Sequence, residues 1–170
     1  PDIGVITNIS YAHAKNFRSL FDIAKAKSEI IFNIKKNGTI ILNKNDKFFN
    51  FFSKLANKNN LDIISFGTHN NSNIRLSKIK KFKKTSILFI SIGSKTLNFK
   101  INNNILPYTD NILAAIAVCK SLKIINKLKS NFFSNYKIPS GRGDIKKITL
   151  GSKKINIIDE SYNSNPLSLN

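Results

Sequence analysis

A lysine at position 27 stands where the surrounding pattern predicts an apolar side chain. At 100° per residue, Lys27 falls in the middle of an apolar helical stripe. That stripe consists of Leu20, Ala24, Ile31 and Ile34. Because burying a bare ammonium is costly, a lysine there must reach solvent, pair with an anion or be modified. The spacing alone leaves a snorkelling lysine and a functional lysine equally open.

His13 is the second residue that could do chemistry, in the loop that leads into the predicted helix. A neutral imidazole and an oxygen ligand derived from Lys27 could hold one divalent ion between them. A lone histidine is more often structural than a ligand, so the pair does not by itself establish a metal site.

A third group of polar residues follows the last predicted strand. Asp159 ends the run Ile155–Ile158, and a polar segment leads to Asn165-Pro166, where a helix is predicted to begin. Ligands bind at such strand ends in α/β folds, and the amides of a helix N-terminus favour an anion. An ordinary βα loop with an asparagine cap fits the same residues.

Secondary-structure elements must position these residues. Predicted strands alternate with predicted helices over the first half of the chain, and this order indicates an α/β fold with a mostly parallel sheet. Gly93-Ser94 then indicates a two-residue hairpin. The Lys- and Asn-rich stretch 127–140 indicates a domain boundary. Strands are predicted at Ile3–Ile9, Thr39–Leu42, Leu61–Phe66, Leu88–Ile92, Leu97–Ile101, Ile145–Leu150 and Ile155–Ile158, and helices from the Ser19 cap to Asn37-Gly38, at Asp46–Ala56 and at Asn111–Leu122.

Composition narrows the function classes. The net charge of +19 is compatible with a nucleic-acid partner. However, only three of the 28 basic residues are arginine, so we attribute the charge to coding bias towards lysine and to a solvated surface.

The single Cys119, in an apolar run, is predicted to be a buried, inert thiol. No apolar stretch approaches the ~20 residues that a membrane span needs. The chain begins at Pro1 without Met, and we expect both of its ends to be cuts through a longer protein.

These motifs together resemble the Mur ligase family over essentially the whole chain. The matching segments are Ile6–His13, Ser19-Leu20, Ala24–Ile30, Gly38–Asn43, Asn111–Ala115, Gly141–Gly143 and Asp159–Pro166. The resemblance implies the C-terminal part of the family's central ATP-binding domain at 1–136 and the beginning of its C-terminal α/β domain at 137–170.

The resemblance also implies roles for single residues. His13 and a carbamylated Lys27 would bind Mg²⁺ and act in catalysis, because carbamylation turns the amine into a carboxylate-like ligand. Asn111 would contact the adenine of ATP and Arg142 its phosphates. Asn43 and Asp159 would complete the nucleotide site, and the substrate-binding residues would be Asn8, Tyr162, Asn163 and Asn165.

The segment from Asp159 to Pro166 is similar to the branch of the family that adds D-alanyl-D-alanine to a UDP-N-acetylmuramoyl-tripeptide. This implies ATP-dependent C–N bond formation through an acyl phosphate, in peptidoglycan synthesis and hence in cell shape and division. It also implies a cytoplasmic, bacterial, monomeric enzyme without a nucleic-acid partner. Departures include Glu160 for an aspartate, Asn45 for the first aspartate of a pair, and Pro107-Tyr108 for His and Asn.

Two alternatives stay open. A sibling amide ligase of the same fold, such as another Mur branch or a folylpolyglutamate synthase, shares most of these motifs. A basic nucleic-acid-binding module would need aromatic and basic residues interleaved on one exposed face. The phosphate loop and an acidic magnesium ligand of the family would lie before Pro1, so we expect this chain by itself to be inactive as a ligase.

Overall fold

The structure is a computed structural model that describes residues 1–10, 17–159 and 161–162. The described residues form eight strands and three α-helices, which alternate from the first strand to the third. The strands are β1 (Ile3–Ile6), β2 (Thr39–Asn43), β3 (Asp62–Gly67), β4 (Ile74–Lys81), β5 (Thr85–Ile92), β6 (Lys95–Asn102), β7 (Asp144–Leu150) and β8 (Lys153–Asp159), and the α-helices are α1 (Leu20–Phe32), α2 (Phe49–Lys58) and α3 (Thr109–Ser121). Short 3-10 segments occupy Asn103–Tyr108 and Ile125–Lys127.

One six-stranded sheet has the order β1-β2-β3-β4-β5-β6. The pairs β1–β2, β2–β3 and β3–β4 are parallel, whereas β4–β5 and β5–β6 are antiparallel. Strands β7 and β8 form a separate antiparallel hairpin. The predicted α/β class with a mostly parallel sheet is therefore confirmed.

Strand β2 is buried on both faces because helices cover both sides of the sheet. Ile40 and Leu42 pack in the cluster formed with α1 and α2, whereas Ile41 packs in the cluster formed with α3. These three side chains are 0–1% exposed. An uninterrupted apolar run is the pattern expected of a parallel strand covered on both faces.

Strand β4 was missed by the sequence patterns. Only its first residue, Ile74, is buried, and five of its eight side chains are exposed, so the segment is not apolar enough to indicate a strand. Its backbone pairs with β5 from Arg75 to Lys81 all the same. The hairpin at Gly93-Ser94 was predicted correctly, and Gly93 has a φ of +60°.

The predicted end of α1 at Asn37-Gly38 is wrong. The helix ends at Phe32, and Asn37, with a φ of +62°, is the left-handed residue in the following turn. Gly38 is needed for a close approach, since a Cβ there would lie 2.5 Å from Ile34 Cγ2 and 2.8 Å from the Asp2 carbonyl oxygen. The Asn37-Gly38 pair therefore indicated the turn between α1 and β2 but not the residue at which the helix ends.

Three further predictions are corrected in detail. Strand β1 ends at Ile6, not at residue 9, and α2 begins at Phe49, not at Asp46. Asp46 lies in the preceding turn, where its Oδ1 accepts a hydrogen bond from Phe48 N at 2.8 Å. The Cys119 thiol is half-buried, and burial raises its pKa.

The boundary predicted between residues 136 and 137 stays a prediction. Lys100 N donates to Ser130 O at 2.8 Å, and Asn102 Nδ2 donates to Ser134 O at 3.1 Å, so the segment up to Ser134 is tied to β6. Within the described part of the chain, no helix is long and apolar enough to cross a membrane.

The predicted cap at the start of α1 is confirmed. Ser19 Oγ accepts from Asp22 N at 3.1 Å and lies 2.8 Å from Asp22 Oδ2, to which it donates. We expect Ser19→Ala to lower the free energy of unfolding by about 1 kcal/mol, because an N-terminal amide of α1 loses its acceptor. Urea denaturation followed by circular dichroism measures this. The matched control is Ser94→Ala at an exposed turn position, and equal midpoints for the two variants would contradict the prediction.

Candidate functional site

Polar side chains after β2 make hydrogen bonds to the segment after β1 and to the start of α3. Ile9 N donates to Asp46 Oδ2 at 2.7 Å, which ties the segment after β1 to the turn after β2. Asn43, at the end of β2, is 6% exposed. Its Nδ2 lies 3.4 Å from Asp110 Oδ2 in the first turn of α3, and its Oδ1 accepts from Asn45 N at 2.9 Å. Asn43 therefore fixes the N-terminus of α3 against the sheet.

Lys27 lines an open cavity of about 390 Å³ between α1 and the end of β1. Thr7 and Asn8 line the same cavity from the strand side, and Glu29 lines it from the helix. Lys27 lies on the sheet-facing side of α1, next to the end of β1, but its side chain is exposed, which both the snorkelling and the functional interpretation allow. Around Lys27 the apolar stripe of α1 faces β1, which is an edge strand of the six-stranded sheet. The cavity between them leaves the Lys27 side chain open to solvent.

The predicted metal pair is only half described. His13 lies outside the described residues, so its distance from Lys27 stays untested. Among the described residues there is no group of three or more His, Cys, Asp or Glu placed to hold a metal ion. The residues with side-chain oxygens that line the cavity of Lys27 are Thr7, Asn8 and Glu29, and Thr7 Oγ1 donates to Asn8 Oδ1 at 3.2 Å.

A second cavity, of about 220 Å³, lies at the N-terminal end of α3 and is mainly apolar. Asn111, in the first turn of the helix, brings an amide to it. The other lining residues are Ile105, Tyr108, Ile112, Ala115, Phe133 and Tyr136. An apolar cavity with one amide and two phenol groups can hold a flat, largely apolar ring system and hydrogen-bond its edge.

Sequence reasoning missed most of this cavity wall. Phe133 and Tyr136 belong to the stretch 127–140, whose composition indicates a domain boundary, and Tyr108 departs from the family pattern. One available signal was the aromatic group Phe132, Phe133 and Tyr136 in an otherwise Lys- and Asn-rich segment. Phe133 packs edge-on against Phe99, with ring centroids 5.4 Å apart, and this contact holds the segment on the sheet.

Tyr108 also connects the cavity to the segment that precedes β7. Its hydroxyl donates to the carbonyl oxygen of Arg142. The Arg142 guanidinium lies over the Tyr162 ring, 4.4 Å from its centroid. Gly141 permits this arrangement, because its φ is +77° and a Cβ there would lie 3.0 Å from both the backbone nitrogen and Cβ of Tyr162. Arg142, Tyr162 and the cavity wall are therefore neighbours.

Asp159 is held in the charged form at the end of β8. A hydrogen bond from the Ser161 side chain at 2.6 Å, with others from Lys146 Nζ at 3.0 Å and Ser161 N at 3.1 Å, lowers the pKa of Asp159 to about 2. The carboxylate thus anchors the turn that carries Tyr162. Asn163 and Asn165 lie outside the described residues.

Comparison with known proteins identifies the fold. Residues 1–119 match the family described as the Mur ligase middle domain. Over 99% of this chain, a UDP-N-acetylmuramoyl-tripeptide–D-alanyl-D-alanine ligase of Buchnera aphidicola from Acyrthosiphon pisum is 36% identical. The chain spans 36% of the length of that relative.

Solved structures agree in fold. A crystal structure of MurF from Acinetobacter baumannii aligns with 99% of this chain and 36% of its own, at a TM-score of 0.79 and 23% identity. MurF ligase from Thermotoga maritima in complex with ADP aligns with 99% of this chain and 37% of its own, at a TM-score of 0.76 and 21% identity. Since the family match covers 119 of the 170 residues, the chain belongs to the Mur ligase family.

Proposed function

We propose that this chain is part of an ATP-dependent ligase that joins D-alanyl-D-alanine to a UDP-N-acetylmuramoyl-tripeptide in peptidoglycan synthesis. The observation that carries the proposal is the 36% identity to such a ligase over 99% of the chain. That similarity includes the segment from Asp159 onward, where the sequence resembles the D-alanyl-D-alanine-adding branch. The enzyme would act as a monomer in the bacterial cytoplasm, where its products support cell shape and division.

The apolar cavity at Asn111 is the proposed adenine site. An amide offers a donor and an acceptor side by side, which matches the edge of adenine, while the aromatic and aliphatic walls suit its faces. The MurF ligase of Thermotoga maritima, which shares the fold, is described in complex with ADP, and this supports a nucleotide in the same fold.

Arg142 is the proposed partner of the ATP phosphates. Its backbone is tied to the cavity wall through Tyr108, and its guanidinium is stacked on Tyr162, so both are oriented before a ligand arrives. A guanidinium can bind two phosphate oxygens at once and offset their charge. Asn43 and Asp159 are already engaged within the protein, so we propose that they position α3 and the Tyr162 turn around the nucleotide.

Lys27 is proposed to act as a carbamate near Mg²⁺, together with His13. Mg²⁺ prefers oxygen ligands, so a plain ammonium does not fit such a role, whereas a carbamate on an exposed lysine with nearby oxygens does. When bound, Mg²⁺ would offset the negative charge of the phosphates and of the substrate carboxylate.

The remaining residues are proposed to hold the two substrates. Asn8 shares the cavity of Lys27. Tyr162, Asn163 and Asn165 are proposed to bind the substrates from the segment after β8. The terminal carboxylate of the tripeptide attacks the γ-phosphorus of ATP and ADP leaves. The amine of D-alanyl-D-alanine then attacks the acyl carbon, inorganic phosphate leaves and the nitrogen loses a proton. Holding two anionic groups together is the main task of the protein in the first step.

The activity can be tested on the intact enzyme. Phosphate release is measured with two substrate pairs: UDP-N-acetylmuramoyl-tripeptide with D-alanyl-D-alanine, and UDP-N-acetylmuramate with L-alanine. We expect turnover with the first pair alone. Turnover with the second pair in place of the first would assign the enzyme to a sibling branch of the family.

Replacement of Asn111 should weaken nucleotide binding without unfolding the enzyme. We expect Asn111→Leu to raise the Kd for ADP about tenfold and to reduce the preference for adenine over guanine nucleotides, because the edge of the base loses its hydrogen bonds. Fluorescence competition with ADP and GDP measures both effects. The matched control is Asn57→Leu, exposed at the end of α2, which should leave both unchanged. An unaltered base preference in Asn111→Leu would contradict the proposed adenine site.

Replacement of Lys27 tests the carbamate. We expect Lys27→Ala to abolish turnover of the intact enzyme and added short carboxylic acids to restore part of it, because an anion can occupy the vacated space. Lys27→Arg should stay inactive, since a guanidinium keeps the positive charge and does not form a carbamate. The loss should appear mainly in kcat.

The matched control is Lys25→Ala, an exposed lysine on the same helix, which should retain turnover. Full activity of Lys27→Ala without additive, or no rescue by any small carboxylate, would contradict the carbamate.

A further inference from the structure

A polar pocket of about 350 Å³ lies between the loop after β3, the start of β4 and the end of α3. It is separate from the cavities at Lys27 and Asn111, with which it shares no lining residue. We call it the asparagine-loop pocket, and its main lining residues are Asn70, Asn71, Ser72, Asn73, Arg75 and Lys120.

Two positively charged side chains line the pocket. Arg75 comes from β4 and Lys120 from the last turn of α3, and both are half-buried. None of the described residues that line the pocket is acidic. In the described part of the chain, the ion pairs are Lys35–Asp2 and Lys146–Asp159, so neither cation is neutralised there.

The loop is held in place by hydrogen bonds at both of its ends. Asn73 Oδ1 accepts from Ser65 N at 2.8 Å and from Ser65 Oγ at 2.9 Å, which anchors the loop to β3. Lys44 Nζ donates to the Asn71 carbonyl oxygen at 2.9 Å, and Arg75 Nη1 donates to Asn70 Oδ1 at 2.8 Å. The pocket is therefore formed before any ligand binds, and Arg75 is oriented while it keeps further N–H groups for a second partner.

A buried hydroxyl of the loop has no hydrogen-bond partner among the described residues. The Ser72 Oγ is buried and makes no hydrogen bond, although Ser72 lines the pocket. A buried hydroxyl without a partner costs free energy, and native structures seldom retain one without a reason. A rotation about χ1 could direct this hydroxyl at an oxygen in the pocket.

We propose that the asparagine-loop pocket binds a phosphate dianion, with Arg75 and Lys120 offsetting its charge and the Ser72 hydroxyl donating to one oxygen. Two cations match the charge of the dianion, and arginine suits the spacing of its oxygens. The same chemistry is offered by inorganic phosphate and by a phosphate monoester, and the volume leaves room for a small organic group beside the phosphate. This binding is independent of the ligase reaction.

The test is calorimetric titration of the chain at pH 8 and constant ionic strength with inorganic phosphate and, separately, with glycerol phosphate. We expect a Kd on the order of 1 mM or below for at least one of them. Tighter binding of glycerol phosphate would identify a phosphate ester as the ligand, and tighter binding of inorganic phosphate would identify the free anion.

Variants distinguish this pocket from the general positive charge. Arg75→Gln with Lys120→Gln, and separately Ser72→Ala, should each raise the Kd about tenfold or more. The matched control is Arg18→Gln with Lys78→Gln, which removes the same two charges from exposed positions outside the pocket and should leave the Kd unchanged. The proposal would be overturned if neither probe binds, or if the two double variants lose the same amount of affinity. An unchanged Kd in Ser72→Ala would also overturn it.

Discussion

The burial of β2 on both faces is the constraint on which the rest of the structure depends. Ile40 and Leu42 face the helices α1 and α2, and Ile41 faces α3, all with 0–1% exposure. A strand in that position can pair only with neighbours that are also covered, and it draws β1 and β3 into parallel register beside it. The hydrophobic effect therefore decides which side of the sheet each helix occupies.

The parallel pairing of β1, β2 and β3 also places the polar residues that follow these strands at one edge of the sheet. Parallel strands end at a common edge, so the segments after β1, β2 and β3 leave the sheet together. Asn43 links that edge to the first turn of α3, and this contact helps to set where Asn111 faces its cavity. The core and the candidate nucleotide site therefore both depend on the position of α3, and a change that moved α3 on the sheet would alter both.

The hairpin of β7 and β8 is connected to the main sheet through Tyr108. Tyr108 donates to Arg142 O, and Arg142 stacks on Tyr162, so a tyrosine of the cavity wall is also the link to the hairpin. Asp159, ionised and hydrogen-bonded to Ser161, keeps the turn with Tyr162 in place. In the proposed ligase, ligand binding in the cavity and the position of Arg142 would therefore be coupled through the Tyr108 side chain.

The sequence by itself determined the fold class, the Ser19 cap and the hairpin at Gly93, because apolar periodicity, capping residues and turn residues act locally. Only the tertiary structure decided that Lys27 is exposed and that β4 is a strand. It also decided that Phe133 and Tyr136 line the Asn111 cavity. The exposure of Lys27 depends on which elements cover α1, and β4 is held by backbone pairing that its side chains do not indicate. The packing around Lys27, the pairing of β4 and the wall of the Asn111 cavity all bring together residues that are distant in the chain. A pattern within one segment therefore cannot indicate them.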